Sequence, residues 1–134
     1  MTAARSLELT LLRERFAVYR LAPDAAAPSW VAGDNFYSIT RTAEELSVVV
    51  EESRIPAGVT SQLGWRVFQV RGPFAFSEIG VLTSLTGPLA AKEVSVFVIS
   101  TFDTDYLLVF EEQLAHAIAA LEQAGHTIHR SHSQ

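Results

Sequence analysis

The chain has 134 residues, of which 49% are hydrophobic, so it is long and apolar enough for one compact domain or two very small units and is not disordered. It has no cysteine, which excludes disulfides, thiolate catalysis and cysteine-based zinc sites and fits a cytoplasmic protein, and no apolar run reaches the ~20 residues of a membrane span. Its net charge of −5 and single lysine, with scattered arginines, disfavour nucleic acid as a partner, because phosphate-binding surfaces need clustered positive charge.

Four strands are predicted in the first half of the chain, because apolar residues alternate or run continuously over short segments. They cover residues 7–12, 16–21, 35–41 and 47–51. Thr42-Ala-Glu-Glu45 matches a helix capping box, but a strand begins almost at once, so a single tight turn is predicted. Two prolines make residues 22–28 a loop or one helical turn at most. Reduced helices are therefore expected in this half.

Two helices are predicted in the second half, where they alternate with strands. Apolar residues recur at helical spacing after Ser77, a good N-cap, which predicts a helix over residues 78–90 with a weakening Gly87-Pro88 near its end. A clearer helix covers residues 113–124 and stops at Gly125. The strands of this half cover residues 65–70, 94–100, 106–110 and 126–129.

The two halves resemble each other when the chain is shifted by 60 residues. Ile39-Thr40 then falls on Ile99-Ser100, and Glu51-Glu52 falls on Glu111-Glu112. The shared order is strand, polar corner, strand and acid pair, which predicts two βαββαβ units in tandem. The alternative is a chance likeness, since periodic strands imitate one another.

No complete catalytic or metal-binding motif is found. The serine, threonine and aspartate residues near Ser100 have no histidine close in sequence, and no Gly-x-Ser-x-Gly turn exists, so no enzyme activity and no cofactor are expected. His126, His129 and His132 are spaced by three but follow the helix stop, so they are interpreted as a solvated tail rather than a metal site.

The polar corner from Ser100 to Asp105 has two readings. Asp103 and Asp105 either form an ordinary turn or line a ligand site at the end of a central strand, near the start of the predicted helix. A helix start offers free N–H groups to a carboxylate, and Gly80 lets a ligand approach the backbone. Glu78 and Asp105 can hold an ammonium group, which together describes a pocket for a free amino acid. Glu78 is equally an ordinary first-turn acid that favours the helix dipole.

Three runs carry a family resemblance: Gly72-Pro-Phe-Ala-Phe-Ser-Glu-Ile-Gly-Val81, Pro88-Leu-Ala90 and Val96-Phe-Val-Ile-Ser-Thr-Phe-Asp-Thr-Asp-Tyr-Leu-Leu-Val109. They resemble ACT domains, and in particular the small tandem-ACT proteins of bacteria related to the CASTOR arginine sensors. The resemblance implies an α+β, ferredoxin-like βαββαβ fold with two ACT-like units in tandem and antiparallel sheets with helices on one side. The units implied are residues 1–62, with reduced helices, and 63–130, followed by a tail at 131–134.

The resemblance also implies a function. ACT domains are regulatory domains that bind amino acids. In the arginine sensors the ligand lies between ACT units, against a helix start and a strand-end corner. The matching ligand-binding positions in this chain are Glu78, Gly80, Val81, Thr101, Phe102 and Asp105. The partners implied are a free amino acid or similar metabolite, a second copy in a homodimer, and a separate regulated protein, because no enzyme domain is attached. The alternative is a structural protein–protein interaction module without a ligand.

Overall fold

The computed structural model describes residues 6–72 and 79–131. These residues contain eight strands and two α-helices: β1 (Glu8–Leu11), β2 (Phe16–Leu21), β3 (Ser38–Arg41), β4 (Leu46–Glu51), β5 (Gln62–Val70), α1 (Val81–Ala91), β6 (Phe97–Ser100), β7 (Asp105–Phe110), α2 (Leu114–Gln123) and β8 (Thr127–Arg130). The predicted α+β class and the predicted order of strands and helices are confirmed. Neither helix in the described residues is long and apolar enough to cross a membrane.

The chain forms two compact units. Among the described residues, 6–13, 66–72 and 79–131 form one unit, called here the helical unit. Residues 14–65 form the other, called here the strand unit.

The helical unit contains the ferredoxin-like order β5-α1-β6-β7-α2-β8, with one additional strand. β6 pairs antiparallel with β7, and β7 pairs with β5. β1 lies between the first and last strands of this order: it is antiparallel to β5, with Leu9 opposite Val70, and parallel to β8, with Leu9 opposite Ile128. Because alternate residues of β1 are buried leucines, the apolar face of this strand is part of the sheet surface that packs against the core.

The core of the helical unit lies between the sheet and the two helices. Val81, Leu85 and Leu89 form the buried stripe of α1 at helical spacing, and α2 contributes a second stripe of Ala117, Ala120 and Leu121. Both stripes belong to one cluster with buried residues of β1, β5 and β7. The arrangement matches the prediction of helices that cover one side of an antiparallel sheet.

The bounds of α1 differ from the predicted ones at both ends. The helix begins at Val81 with Gly80 as its N-cap residue, whereas the predicted cap, Ser77, and the predicted first residue, Glu78, lie outside the described residues. At the other end the helix continues through Pro88 to Ala91. Because proline has no backbone N–H, Pro88 leaves the carbonyl of Ser84 without its usual helical donor.

His126 supplies the missing donor. Its Nε2 lies 2.8 Å from the Ser84 carbonyl oxygen, and its Nδ1 accepts the backbone N–H of Leu7 at 3.0 Å. A carbonyl only accepts and an amide N–H only donates, so the proton of the neutral ring is on Nε2. His126 is 4% exposed, and His129 Nε2 lies 2.7 Å from Glu8 Oε1. The prediction of a solvated tail is therefore wrong for His126, whereas His129 lies in β8 with a partly exposed side chain and His132 lies outside the described residues.

The strand unit has the strand order β3-β4-β2, with the beginning of β5 beside β2. The face of β4 that carries Leu46, Val48 and Val50 packs with Val31 and Trp30 in a separate core. The described residues of this unit have no α-helix and only a 3₁₀ turn at Glu52–Arg54. This agrees with the reduced helices expected from the sequence.

Two arginines fasten the segment that connects β2 to β3. Arg41 donates from Nη1 to the Pro23 carbonyl and from Nη2 to the Ala25 carbonyl, the latter at 2.7 Å. Arg54 donates to the carbonyls of Trp30 and Ala32 at 2.9 and 2.6 Å. Charged donors make stronger hydrogen bonds than neutral ones, so these side chains hold a connection that has no helical hydrogen bonds of its own.

The internal repeat is present in the structure, but its shift is 59 residues. Arg41 pairs with Leu46 across one hairpin and Ser100 pairs with Asp105 across the other, and each pair encloses a corner of four residues. The following 3₁₀ turns, Glu52–Arg54 and Glu111–Gln113, keep the same shift. The predicted shift of 60 is wrong by one residue, because it aligned similar apolar letters and not the hydrogen-bonded corner that sets the register.

Candidate functional site

The corner between β6 and β7 is held closed by Thr101. The Thr101 N–H donates to the Thr104 carbonyl at 2.8 Å, and the Thr104 N–H donates to Thr101 Oγ1 at 3.3 Å. In the strand unit, Thr42 makes the same two bonds with Glu45, at 2.8 and 3.1 Å, which confirms the tight turn predicted there. The hydroxyl of Thr101 thus shapes the corner by bonding to its own turn.

Asp105 lies at the edge of this corner with its carboxylate partly fixed. The Ser100 hydroxyl donates to Asp105 Oδ1 at 2.5 Å, across the last residue pair of the hairpin. Among the described residues no hydrogen bond to Oδ2 is formed, and the side chain is half-buried. The carboxylate is therefore oriented and keeps one oxygen to accept a donor from a ligand.

The corner adjoins the end of β5. The Thr104 hydroxyl donates to the carbonyl oxygen of Val70 at 2.7 Å, and Val70 is the last residue of that strand. In a β-α-β unit the connection to the helix leaves the sheet at the end of the preceding strand. The chain that leads to α1 therefore leaves the sheet at Val70, the residue that the corner contacts. Gly72 and Ile79 border the segment 73–78, which lies outside the described residues and includes Glu78.

The start of α1 has an open backbone. Gly80 has φ of 86°, a left-handed conformation that favours glycine, and a Cβ atom placed there would meet no atom within 4 Å. No side chain caps the helix among the described residues. The side chain of Val81 is buried in the core, so only its backbone N–H is available to a ligand.

Two large apolar side chains near these features are exposed. Ile79, which precedes Gly80, is 90% exposed, and Phe102, at the tip of the corner, is 78% exposed. Exposed apolar side chains of this size often mark a surface that a ligand or partner covers. They are the apolar part of the candidate site.

Tyr106 follows Asp105 and has a perturbed phenol. Partial burial raises the pKa of Tyr106 above its ordinary value of 10.0, and the negative charge of Asp103 raises the pKa further. Both effects disfavour the phenolate. The phenol beside the corner is therefore neutral throughout the physiological range.

The equivalent corner in the strand unit has different chemistry. The 59-residue shift puts Arg41 at the position of Ser100 and Leu46 at the position of Asp105. Arg41 is bound to backbone carbonyls of its own unit, and Leu46 is buried. Of the two repeated corners, only that of the helical unit presents the hydroxyl–carboxylate pair.

A second concave surface was not predicted from the sequence. It is a cleft of about 770 Å³ in the strand unit, lined by residues that include Arg20, Glu45 and Val59. These residues are far apart in sequence and share no motif, so no local signal points to the cleft. It depends on the unequal lengths over which β2 pairs with its two neighbours.

Comparisons with known proteins agree with the fold. A family model described as ACT domain matches residues 60–123, and a model of an N-terminal domain matches residues 14–58. The chain is similar to cytosolic arginine sensor for mTORC1 subunit 1: 28% identical over 127 residues in Homo sapiens and 30% over 116 in Bos taurus, covering 88% and 78% of this chain. It spans only 39% and 35% of the length of these two sensors.

Solved structures give the same result over more of the chain. A crystal structure of an Agobacterium tumefaciens protein is 40% identical, covers 98% of both chains and has a TM-score of 0.90. Aspartate kinase from Clostridium acetobutylicum, described as an allosteric enzyme, has a TM-score of 0.67 at 10% identity, covering 93% of this chain and 36% of the kinase. The second likeness concerns the fold alone.

Proposed function

This chain belongs to the ACT-domain family, and we propose that it is a non-catalytic regulatory protein of the cytoplasm that binds a free amino acid or a similar small metabolite. The observation that carries the proposal is the oriented carboxylate of Asp105 at a corner hydrogen-bonded to the end of β5, the strand that leads to the open start of α1. Similar proteins that are named arginine sensors also support the proposal.

Each end of a zwitterion has a complementary group. The first N–H groups of α1 are not used inside the helix, and the positive end of the helix dipole favours a carboxylate there. Asp105 Oδ2 accepts an ammonium N–H at the other end, together with Glu78. Gly80 admits the ligand to the backbone, Thr101 holds the corner, and Phe102 covers the ligand side chain. The proposed ligand-binding residues are Glu78, Gly80, Val81, Thr101, Phe102 and Asp105.

We propose a homodimer as the form that completes this site. Ile79 and Phe102 are too exposed in the single chain to enclose a ligand, and a second copy that covers them would remove water from the carboxylate. Light scattering coupled to size exclusion should give a dimer mass. Phe102→Asp should shift the protein toward the monomer, because the charge opposes association, and a wild-type monomer or an unchanged dimer in the variant would contradict this.

A protein–protein interaction module without a ligand is the second candidate. The same two exposed apolar side chains favour it, because they also suit a protein partner. In this case Asp105→Ala should leave capture of a stable partner unchanged, whereas a ligand-dependent regulator should lose its ligand-dependent partner. Adding the ligand to the capture experiment separates the two functions.

Calorimetric titration with each of the twenty amino acids tests the proposed function. We expect saturable binding of one or a few, and Asp105→Asn should weaken it by about tenfold or more, because a hydrogen bond to a charged group contributes roughly 1.5–3 kcal/mol. Glu44→Gln is the matched control, since Glu44 occupies the corresponding corner of the strand unit. Absence of binding at millimolar concentration, or equal loss in both variants, would contradict the proposal.

A further inference from the structure

The cleft of the strand unit lies where β2 runs past the start of β5. β2 pairs with β4 along its whole length, from Phe16 to Leu21, but its pairing with β5 ends at Val18, opposite Gln62. In the part of the chain that the structure describes, β2 from Tyr19 onward has no strand partner on that side. Residues 58–61 form the facing wall, and the cleft volume of about 770 Å³ is within the range of small-molecule sites.

The walls of the cleft are mainly apolar and are held in place. Val18, Tyr19 and Val59 contribute apolar surface to the lining. The Tyr19 ring packs against Trp30 with a centroid separation of 5.8 Å, which limits its movement. A ligand with an apolar body therefore meets a preformed surface, which lowers the entropic cost of binding.

Arg20 supplies the charged group at one end. Its Nη2 donates to the Glu44 carbonyl at 3.1 Å, and its Nε lies 3.6 Å from Glu45 Oε1. Among the described residues, these contacts leave the Nη1 N–H groups and one Nη2 N–H of the guanidinium for another acceptor. Two adjacent N–H groups of this kind suit a carboxylate or another oxyanion in a bidentate arrangement.

Neutral donors surround the rest of the rim. Ser47, Thr60, Ser61 and Gln62 line the cleft, and each side chain has a hydrogen-bond donor. Glu45 is the only carboxylate of the lining and already faces Arg20. These side chains can also accept, so they suit either partner of a hydrogen bond, and Arg20 is the group that favours an acidic ligand over a basic one.

We propose that this cleft binds a small amphiphilic acid, with its anionic group on Arg20 and its apolar body along Val18 and Val59. The lining residues all belong to the strand unit, so the site is separate from the amino-acid site proposed for the helical unit. The cleft also suits a different chemical class of ligand. It offers apolar walls and an arginine, and the carboxylate of its lining, Glu45, already faces Arg20 instead of an ammonium group.

Fluorescence titration with anilinonaphthalene sulfonate, an oxyanion on an apolar aromatic body, tests this proposal. We expect saturable binding to the folded protein, weakened about tenfold by Arg20→Gln, since a charge-assisted hydrogen bond is lost. Val59→Asp should weaken binding as well, by placing a negative charge in the cleft. Arg130→Gln, which removes an exposed arginine of the helical unit, is the matched control and should leave the affinity unchanged.

Amide chemical shifts locate the bound probe. The amides of residues 18–20 and 58–62 should shift in the wild-type protein, and the same shifts in Arg20→Gln should need about tenfold more probe, while its otherwise unchanged spectrum would show that it is folded. Asp105→Asn should bind the probe as the wild type does, which separates this site from the proposed amino-acid site. Equal affinity of wild type and Arg20→Gln, or shifts confined to other residues, would overturn the proposal.

Discussion

His126 and Pro88 act on the same backbone carbonyl, that of Ser84. Pro88 removes the helical N–H that this oxygen would normally accept, and the Nε2 of His126 takes its place at 2.8 Å. The other nitrogen of the ring accepts from Leu7, the residue before β1. One buried imidazole thus links α1, whose start belongs to the proposed ligand site, to the strand inserted in the sheet.

His126→Ala should lower the free energy of unfolding by about 2–4 kcal/mol, because it leaves a buried N–H and a buried carbonyl without partners. Urea denaturation followed by circular dichroism measures this change. His116→Ala, at an exposed position of α2, is the matched control and should change stability by less than about 0.5 kcal/mol.

Pro88→Ala should reduce the cost of His126→Ala, because alanine at this position restores an N–H that can reach the Ser84 carbonyl. A double-mutant cycle should therefore give a coupling of about 1 kcal/mol. Strictly additive effects of the two substitutions would show that the residues do not share this oxygen.

Alanine should have opposite effects at two glycines of α1. Gly80→Ala places a side chain on a backbone with φ of 86° and should cost about 1–2 kcal/mol. Gly87→Ala, inside the helix and with open space around its Cβ position, should stabilise by about 0.5–1 kcal/mol. Thermal unfolding of both variants measures the difference, and the same sign for both would contradict the described helix start.

Gly33→Ala should destabilise the strand unit through Arg54. A Cβ atom at Gly33 would lie 2.9 Å from the guanidinium carbon of Arg54, which is held by the carbonyls of Trp30 and Ala32. The guanidinium must move and lose these bonds, so hydrogen exchange of residues 46–50 should become faster. In an Arg54→Ala background, Gly33→Ala should have almost no further effect, and a full additional effect would contradict this account.

The phenol of Tyr106 should titrate above pH 10.0, in a protein where Tyr19 and Tyr37 are replaced by phenylalanine so that absorbance reports one residue. Its folded pKa exceeds the unfolded one, so its contribution to stability is present below pH 10.0 and is lost as the pH rises through the folded pKa. Asp103→Asn should lower the midpoint, though not to 10.0, because burial is the larger cause. A wild-type midpoint at or below 10.0 would contradict the burial of this ring.

The order of strands and helices was predictable from the sequence, because each depends on the periodicity of its own residues. The buried stripe of α1 and the turn at Thr42 are examples of such local signals. The role of His126 was not predictable, because its partners, Leu7 and Ser84, are far away along the chain. The short pairing of β2 with β5 beside the cleft was not predictable for the same reason, because the paired residues are far apart in the sequence.

The candidate site was predictable in part. The corner at Thr101 and the open backbone at Gly80 follow from residue types with strong local preferences. The side chain of Val81 is buried by packing, and Asp105 is oriented by the register of its hairpin. The predicted shift of 60 residues was one residue too long and therefore did not reveal this register. Binding at Glu78, Phe102 and the other proposed positions stays a prediction.

The amide spectrum of the protein during titration with the amino acid that binds most tightly by calorimetry tests the central claim most directly. We predict that the amides of Val81 and Leu82, at the start of α1, shift together with those of Thr101 and Asp105, with one dissociation constant, while those of Thr42 and Leu46 stay unchanged. Saturation with no shift at the start of α1, or with shifts only in the strand unit, would contradict the account.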